Sequence, residues 1–589
     1  MKHLFRKSFF LATIMAIAAC SSSDDATNNE GNNTNNDVAI NYSASISDLT
    51  ALDVSIDQSS LNENETIPTD DEDYIENNTF SKNINIQFDG TSATVTGSVN
   101  GVSVTINGAD VTVNSIAKKV AYTVTGTTSD GYLKIYSENK FSLSLNGVSI
   151  TNPDGAPLNI QSKKRGYIVI ADGTTNTLTD GSTYKDEIPT EDMKATLFSE
   201  GKMLFSGKGQ LFVNANCKAG IRSDAYIMFR PGCNIYVNAK AGNAIKANDA
   251  IYIKGGVINA ETSAATAKAI NCDGVIQISG GRTTAITTGN GQQDADGQDA
   301  SGCAAIKTDS VLEINSGSLL CKSTGTGGKG INATQGITFN KGTIKVVTTG
   351  GPYDDGKYSV SATGIKSDAD ITINQADIMV RSVGGNGSKG IESKGALNVN
   401  GGKLQVYSED HALCSSSSPM TITDGYTFAM STTGCGFHSK SSVNINGGVA
   451  IACGSKENKA GIEVLENCLN ITNGTLIATG TLASTPSNSG TTQNTIVITS
   501  DEVKSGTFIN VNDTTCLLAF KMPTDYTKGF SMTISSPLLK QGNTYKIYQG
   551  AAVNGTTDFC GYLTSPSSTG GNLWTELSLS NIISSWQKE

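Results

Sequence analysis

Gly220-Ile221-Arg222-Ser223, Ile227-Met228-Phe229 and Ile235-Tyr236-Val237 make one unit of this chain. Ala244-Ile245-Lys246-Ala247, Ile251-Tyr252-Ile253, Gly255-Gly256 and Ile258 make the next. The pattern repeats roughly every 24–25 residues from 197 to 478, with further copies starting at Ile270, Ile306, Ile331, Ile365, Ile391, Leu413, Phe437 and Ile462. A two-residue alternation nested in a fixed longer period is the mark of a solenoid. Each apolar run alternates, so each is a strand with one face inward. Its inward residues are mostly β-branched or aliphatic, which suits strands.

Three short strands per copy, separated by Gly, Asn or Ser, predict a triangular coil. Helical apolar spacing with caps does not occur within the array. The expected fold class is therefore all-β: a parallel β-helix of about 11 or more coils, with a β cap at each end. Two copies are longer. Ile270 to Ile306 spans 36 residues and Ile331 to Ile365 spans 34. These inserts, near Thr287–Ser301 and Thr349–Ser361, are expected as loops projecting from one corner.

Lys2, Arg6 and Lys7 precede an apolar run from Phe9 to Ala19, the pattern of a signal peptide. Ile17-Ala18-Ala19-Cys20 resembles a bacterial lipobox, which implies lipidation at Cys20 and a membrane anchor there. Ser21-Ser22-Ser23-Asp24-Asp25 resembles the export signal of Bacteroidota surface lipoproteins. That resemblance implies an outer-membrane lipoprotein facing the cell exterior. Residues 1–20 read as the signal peptide, 21–83 as a tether and acidic linker, 84–480 as the β-helix with its N-terminal cap, and 481–589 as a C-terminal β cap or small β module.

The net charge of −11 argues against nucleic acid binding by a basic surface. Eleven cysteines follow Cys20 without a close Cys-x-x-Cys pair and with few histidines, so zinc is not expected. Cys272 falls at an inward position and reads as packing. Disulfides between neighbouring coils are compatible with an exported protein, and an odd count leaves at least one thiol.

Four stretches carry a family resemblance: Leu143-Ser144-Leu145-Asn146-Gly147-Val148-Ser149-Ile150-Thr151, Ala171-Asp172-Gly173-Thr174-Thr175-Asn176, Lys389-Gly390-Ile391-Glu392-Ser393-Lys394-Gly395, and Ile534-Ser535-Ser536-Pro537-Leu538-Leu539-Lys540-Gln541-Gly542. They resemble the bacterial carbohydrate-binding domain-containing proteins. The resemblance implies a right-handed, pectate-lyase-like β-helix that binds acidic plant polysaccharide and carries calcium. Where family coils often read Asp-Gly-Ile, this chain has Ala219, Asn243, Lys268, Ala304, Lys329, Thr363 and Lys389. Glu463, just after Ile462, stands where family members often carry Asp.

Several outward positions are candidates for glycan binding. Phe212 and Tyr236 match on successive coils, as do Met228 and Tyr252, and aromatic faces stack on the C–H faces of sugars. Arg222, Lys246, Lys307 and Lys366 form an outward cationic strip suited to sugar carboxylates. Asp224, Asp273, Asp309 and Asp368 run beside it, so a self-neutralising salt-bridge ladder explains the same pattern. Asp294, Asp296 and Asp299 cluster around a Gly and are the calcium candidates. His411 and His438 read as corner residues rather than a pair, and no catalytic residue is assigned. The expected function is non-catalytic polysaccharide binding. Alternatives are a lyase or hydrolase acting on uronic-acid glycans, and a structural adhesin.

Overall fold

A computed structural model describes residues 40–42, 46–58, 61, 63–185, 190–556 and 558–588. It is nearly all β, wound as a parallel solenoid of about fifteen turns. Each turn carries three strands. In one turn these are Ala219–Ser223 on the first face, Tyr226–Phe229 on the second and Asn234–Ala239 on the third. The row Ile221, Ile245, Ile270, Ile306, Ile331, Ile365, Ile391, Leu413, Phe437, Ile462 stays in register along the first face. No member is more than 3% exposed. Burying each such side chain contributes about 1.5–3 kcal/mol, so the interior wall is the main source of stability. The period predicted from sequence therefore closes into the expected stack of three-stranded coils around a filled apolar interior.

Corners are held by side-chain ladders and by glycine. Asn340 donates to Asn315 at 2.7 Å, Asn374 to Asn340 at 2.7 Å and Asn400 to Asn374 at 3.0 Å. On the first face Gly220, Gly330, Gly364 and Gly390 sit where a Cβ would lie 2.2–2.4 Å from a valine methyl of the third face. Glycine is required there because walls meet without room for a side chain.

Both inserts form antiparallel hairpins, Gln292–Gln293 with Ala300–Ser301 and Tyr353–Asp354 with Ser359–Val360. They pack on each other: Lys357 Nζ and Tyr358 OH both donate to the Gly297 carbonyl at 3.1 Å. After Gly480, Phe530–Ser535 pairs antiparallel with Leu469–Gly480 and with Thr495–Ser500. A six-stranded sheet follows, and its core residues Val511, Phe520 and Ile547 share one apolar cluster with Phe428, Met430 and Ile451 on the outer side of the third face. All eleven cysteines from Cys217 to Cys560 are thiols, and Cys272 is an interior residue as expected.

The stretch that composition reads as an acidic linker has a defined course. Its described residues run back along the solenoid, against the direction of the turns. The Asn41 carbonyl accepts from Gln405, the Ser55 carbonyl from Lys345, Glu63 from the backbone of Gly232 and Gly256, and Asp73 from Arg165 and Tyr226. Ile40, Val54 and Ile56 cover Leu320, Val347 and Met379, while Ile75 and Phe80 cover Tyr167, Leu204 and Met228. This strap decides which outward surfaces remain open.

Candidate functional site

The third face is covered by the strap and the C-terminal strands along its later turns, and it is open on its early ones. There Phe212 and Tyr236 project outward in register, their rings parallel within 11° and 4.8 Å apart. Both are half-buried, their neighbours Asn214 and Asn238 exposed, and Asn259 continues the row one turn on. Alternation explains the layout: Leu211, Val213, Ile235 and Val237 fill the interior, so intervening residues point out. Asn214 donates to Thr179 at 3.1 Å, and Glu261 lies beside Asn238 in register. Lys208 stands before the Phe212 strand and Lys240 after the Tyr236 strand, both exposed.

Beside this platform lies a groove of ≈ 1060 Å3. Tyr236, Asn234, Asn259 and Lys208 line one side, and strap residues Gln58, Glu63 and Asn64 the other. Its wall is fixed by ion pairs. Arg230, 6% exposed at its side chain, meets Glu65 at 2.7 Å and Glu76 at 2.8 Å and lies 4.6 Å over the Tyr74 ring. Burial works to lower the Arg230 pKa, but the two carboxylates outweigh it and raise it. Burial likewise works to raise the Asp73 carboxyl, yet hydrogen bonds from Tyr226 and Arg165 hold it below the usual carboxylate range. Gly256, at φ +82°, supplies an N–H to Glu63 from a left-handed backbone that suits glycine.

The structure separates the residues that the sequence grouped. Phe212 and Tyr236 come together as expected. Tyr252 does not join them: it lies on the second face, edge-on to Tyr226 at 5.7 Å, in the cluster beneath Phe80 and Ile75. Arg222, Lys246, Lys307 and Lys366 occupy the first face, away from the aromatics, and the first three meet carboxylates. Arg222 lies 3.4 Å from Asp224, Lys246 3.2 Å from Asp273 and Lys307 2.5 Å from Asp309. These contacts are those of a neutralising ladder. Asp294, Asp296 and Asp299 sit in the first hairpin turn, where Asp296 and Asp299 accept from the backbone N–H groups of Gln298 and Ala300. Their carboxylates do not form a three-ligand group within 4.8 Å. Cys20 lies outside the described residues.

One group of ligating side chains does converge among the described residues: His411, Cys435 and His438. This overturns the reading of the two histidines as unrelated corner residues. Their rings stack at 4.3 Å across adjacent turns, although His438 is in register with Cys414 and not with His411. Sequence reasoning also missed the strap and the outward amides. The amides were legible as alternate positions of the Ile-x-Val strand.

The family model for "Carbohydrate-binding domain-containing protein" matches residues 107–298 and again 237–384, an overlap that reflects the repeat. A protein of that description from Acetivibrio thermocellus is 34% identical over 160 residues, 27% of this chain and 54% of the relative. The chain thus spans about half the length of the curated relative it matches. A solved polysaccharide lyase-like protein from C. thermocellum, a gadolinium derivative, aligns with a TM-score of 0.32 at 23% identity over 52% of this chain and 99% of that one.

Proposed function

We propose that this protein binds polysaccharide without cleaving it, through the Phe212–Tyr236 platform and the groove beside it. The stacked, half-open ring pair carries the reading: two parallel rings one turn apart offer their open edges and outer faces to the C–H groups of sugars, and Asn214, Asn238 and Asn259 are placed for hydroxyls. The first family match, 107–298, covers all of these residues. Lys208 and Lys240 favour a glycan bearing carboxylates, of the acidic plant type. The same proposal includes a lipid anchor at Cys20 and an outer-membrane position facing the exterior. It is supported by the basic, apolar and Cys-terminated leader.

Affinity electrophoresis in gels containing pectin-type or neutral plant glycans tests the binding. Phe212→Ala with Tyr236→Ala removes two ring contacts worth about 1 kcal/mol each, so retention should weaken about thirtyfold. No retention of the wild type on any gel would refute the reading, as would an undiminished double variant. Mass spectrometry of the membrane fraction for diacylglycerol on Cys20 tests the anchor.

A further inference from the structure

We propose that His411, Cys435 and His438, joined by Glu463, form a binding site for a divalent transition-metal ion of the zinc class. The site is distinct from the glycan platform and lies near the other end of the solenoid. Three successive turns build it. Leu413, Phe437 and Ile462 are stacked interior residues, in register along the first face. His411 and Cys435 each stand two residues before such an interior position, while His438 and Glu463 each stand one after it. Ala412 and Leu413 both face the core, so the chain turns there and the residues on either side, at His411 and Cys435 before it and His438 and Glu463 after it, gather at one corner, although 52 residues of sequence separate His411 from Glu463.

The distances are those of a ligand set. Cys435 Sγ lies 2.9 Å from His411 Nδ1, 4.0 Å from His438 Nδ1 and 3.4 Å from Glu463 Oε2. A tetrahedral zinc with Zn–S about 2.3 Å and Zn–N about 2.05 Å sets sulfur and nitrogen about 3.6 Å apart. The observed pair brackets that value, so sub-ångström adjustments seat an ion. One thiolate and two imidazoles, with the Glu463 carboxylate against the sulfur, select zinc, cobalt or a similar ion over calcium and magnesium, which prefer all-oxygen sites.

The surroundings support the same assignment. The Cys435 N–H donates to His411 Nδ1 at 3.2 Å, so that nitrogen is unprotonated, and its lone pair exchanges this N–H for the ion on binding. Asp410 Oδ1 lies 3.7 Å from His411 Nε2, so a carboxylate flanks the ring on its other nitrogen. Lys459 holds Glu463 Oε2 at 3.0 Å. Gly434 leaves the space the cluster needs: a Cβ there would stand 2.8 Å from His411 Nδ1 and 3.1 Å from Asp410 Oδ1. Cys435 is buried and both imidazoles are half-buried, so an ion reaches the sulfur from the histidine side. On binding, the Cys435 S–H ionises, its proton passes to solvent, and the freed lone pair bonds the cation.

Titration of the metal-free full chain with Co2+ tests the proposal. The expected result is one equivalent bound, with a thiolate-to-cobalt charge-transfer band that Zn2+ bleaches. Cys435→Ser should abolish the band, and His438→Gln should weaken binding at least about tenfold. Cys516→Ser, in the C-terminal sheet, should leave both unchanged. A band that survives Cys435→Ser, or wild-type protein that takes up neither ion at micromolar concentration, overturns the site. A second measurement needs no variant. Equilibrium dialysis of the folded wild-type chain against micromolar Zn2+ should retain one ion per chain by elemental analysis, and no retained zinc overturns it as well.

Discussion

Lys329→Met should stabilise this protein at neutral pH. Lys329 is 7% exposed and stands two residues before the interior Ile331. Burial, together with Lys366 and Lys268, pulls its ammonium down to about 8 from an ordinary 10.5. Below pH 8 the lysine is charged in both folded and unfolded chains, and the fold carries the whole cost of that buried charge. Between about pH 8 and 10.5 the unfolded chain binds the extra proton, so this residue's contribution to stability rises with pH. Above that window both forms are neutral and the cost is gone. The gap between the two pKa values corresponds to about 3 kcal/mol. The variant should therefore exceed wild type by about 3 kcal/mol at pH 7 and by under about 0.5 kcal/mol at pH 10.5, once the pH-independent packing change is subtracted. Urea midpoints followed by circular dichroism at the two pH values supply the comparison. It must be read as a difference between proteins, because thiols such as Cys321 and Cys453 are raised by burial and make the whole fold less stable as pH climbs. A gap between variant and wild type that did not change with pH would refute the argument: the ammonium would then have a compensating partner or access to water.

Arg230→Met should release the strap, since it leaves Glu65 and Glu76 without their shared cation. A loss of about 2–3 kcal/mol is expected, with new protease cleavage confined to residues 57–80. An unchanged cleavage map would show that Glu63 and Asp73 hold the strap unaided. Gly390→Val should be far costlier than its surface counterpart Gly356→Ala. A Cβ at Gly390 would lie 2.3 Å from Val406 Cγ1 and 2.5 Å from the Ala412 carbonyl, whereas nothing lies within 4 Å of one at Gly356. The first should cost about 3 kcal/mol or prevent folding, and the second, at φ +84°, about 1 kcal/mol. Thermal midpoints of the two variants check the contrast, and equal midpoints would contradict it.

The interior was legible because each inward residue repeats at the period of the coil. Ile221, Ile245 and Ile270 announce their own stacking in a way that needs no long-range information. The strap was not legible for the opposite reason. Ile40, Val54, Ile56, Ile75 and Phe80 have no shared period, and their partners lie as far away as Met379. What selects their course is the row of outward apolar residues Tyr167, Leu204 and Met228 on the second face and Leu320, Val347 and Met379 on the third. Read alone, these look like exposed hydrophobics. The sequence reading could see that Phe212 pairs with Tyr236, but not that Tyr252 is roofed over, because strand alternation gives direction without giving cover.

The histidine–cysteine cluster shows a different failure. Scanning for metal ligands by chain proximity finds no pair of cysteines and two isolated histidines. In a solenoid, proximity is set by offset from the interior residue, whatever the separation along the chain. Counted that way, His411 and Cys435 share one offset, His438 and Glu463 share the other, and the outward strip that begins as Arg222, Lys246 and Lys307 ends as Glu392, Cys414, His438 and Glu463. Interior packing uses only the inward positions, so outward ones that neither the strap nor the C-terminal sheet covers vary from turn to turn without cost to the interior. One scaffold can then carry a neutralised charge ladder, an aromatic platform and a nitrogen–sulfur cluster on different turns. At about 4.8 Å per turn, the eight turns from the row of Ile221 to that of Phe437 set platform and cluster about 40 Å apart. Sites that far apart with no shared contact contribute independently, which is why failure of the glycan reading and failure of the metal reading remain separable.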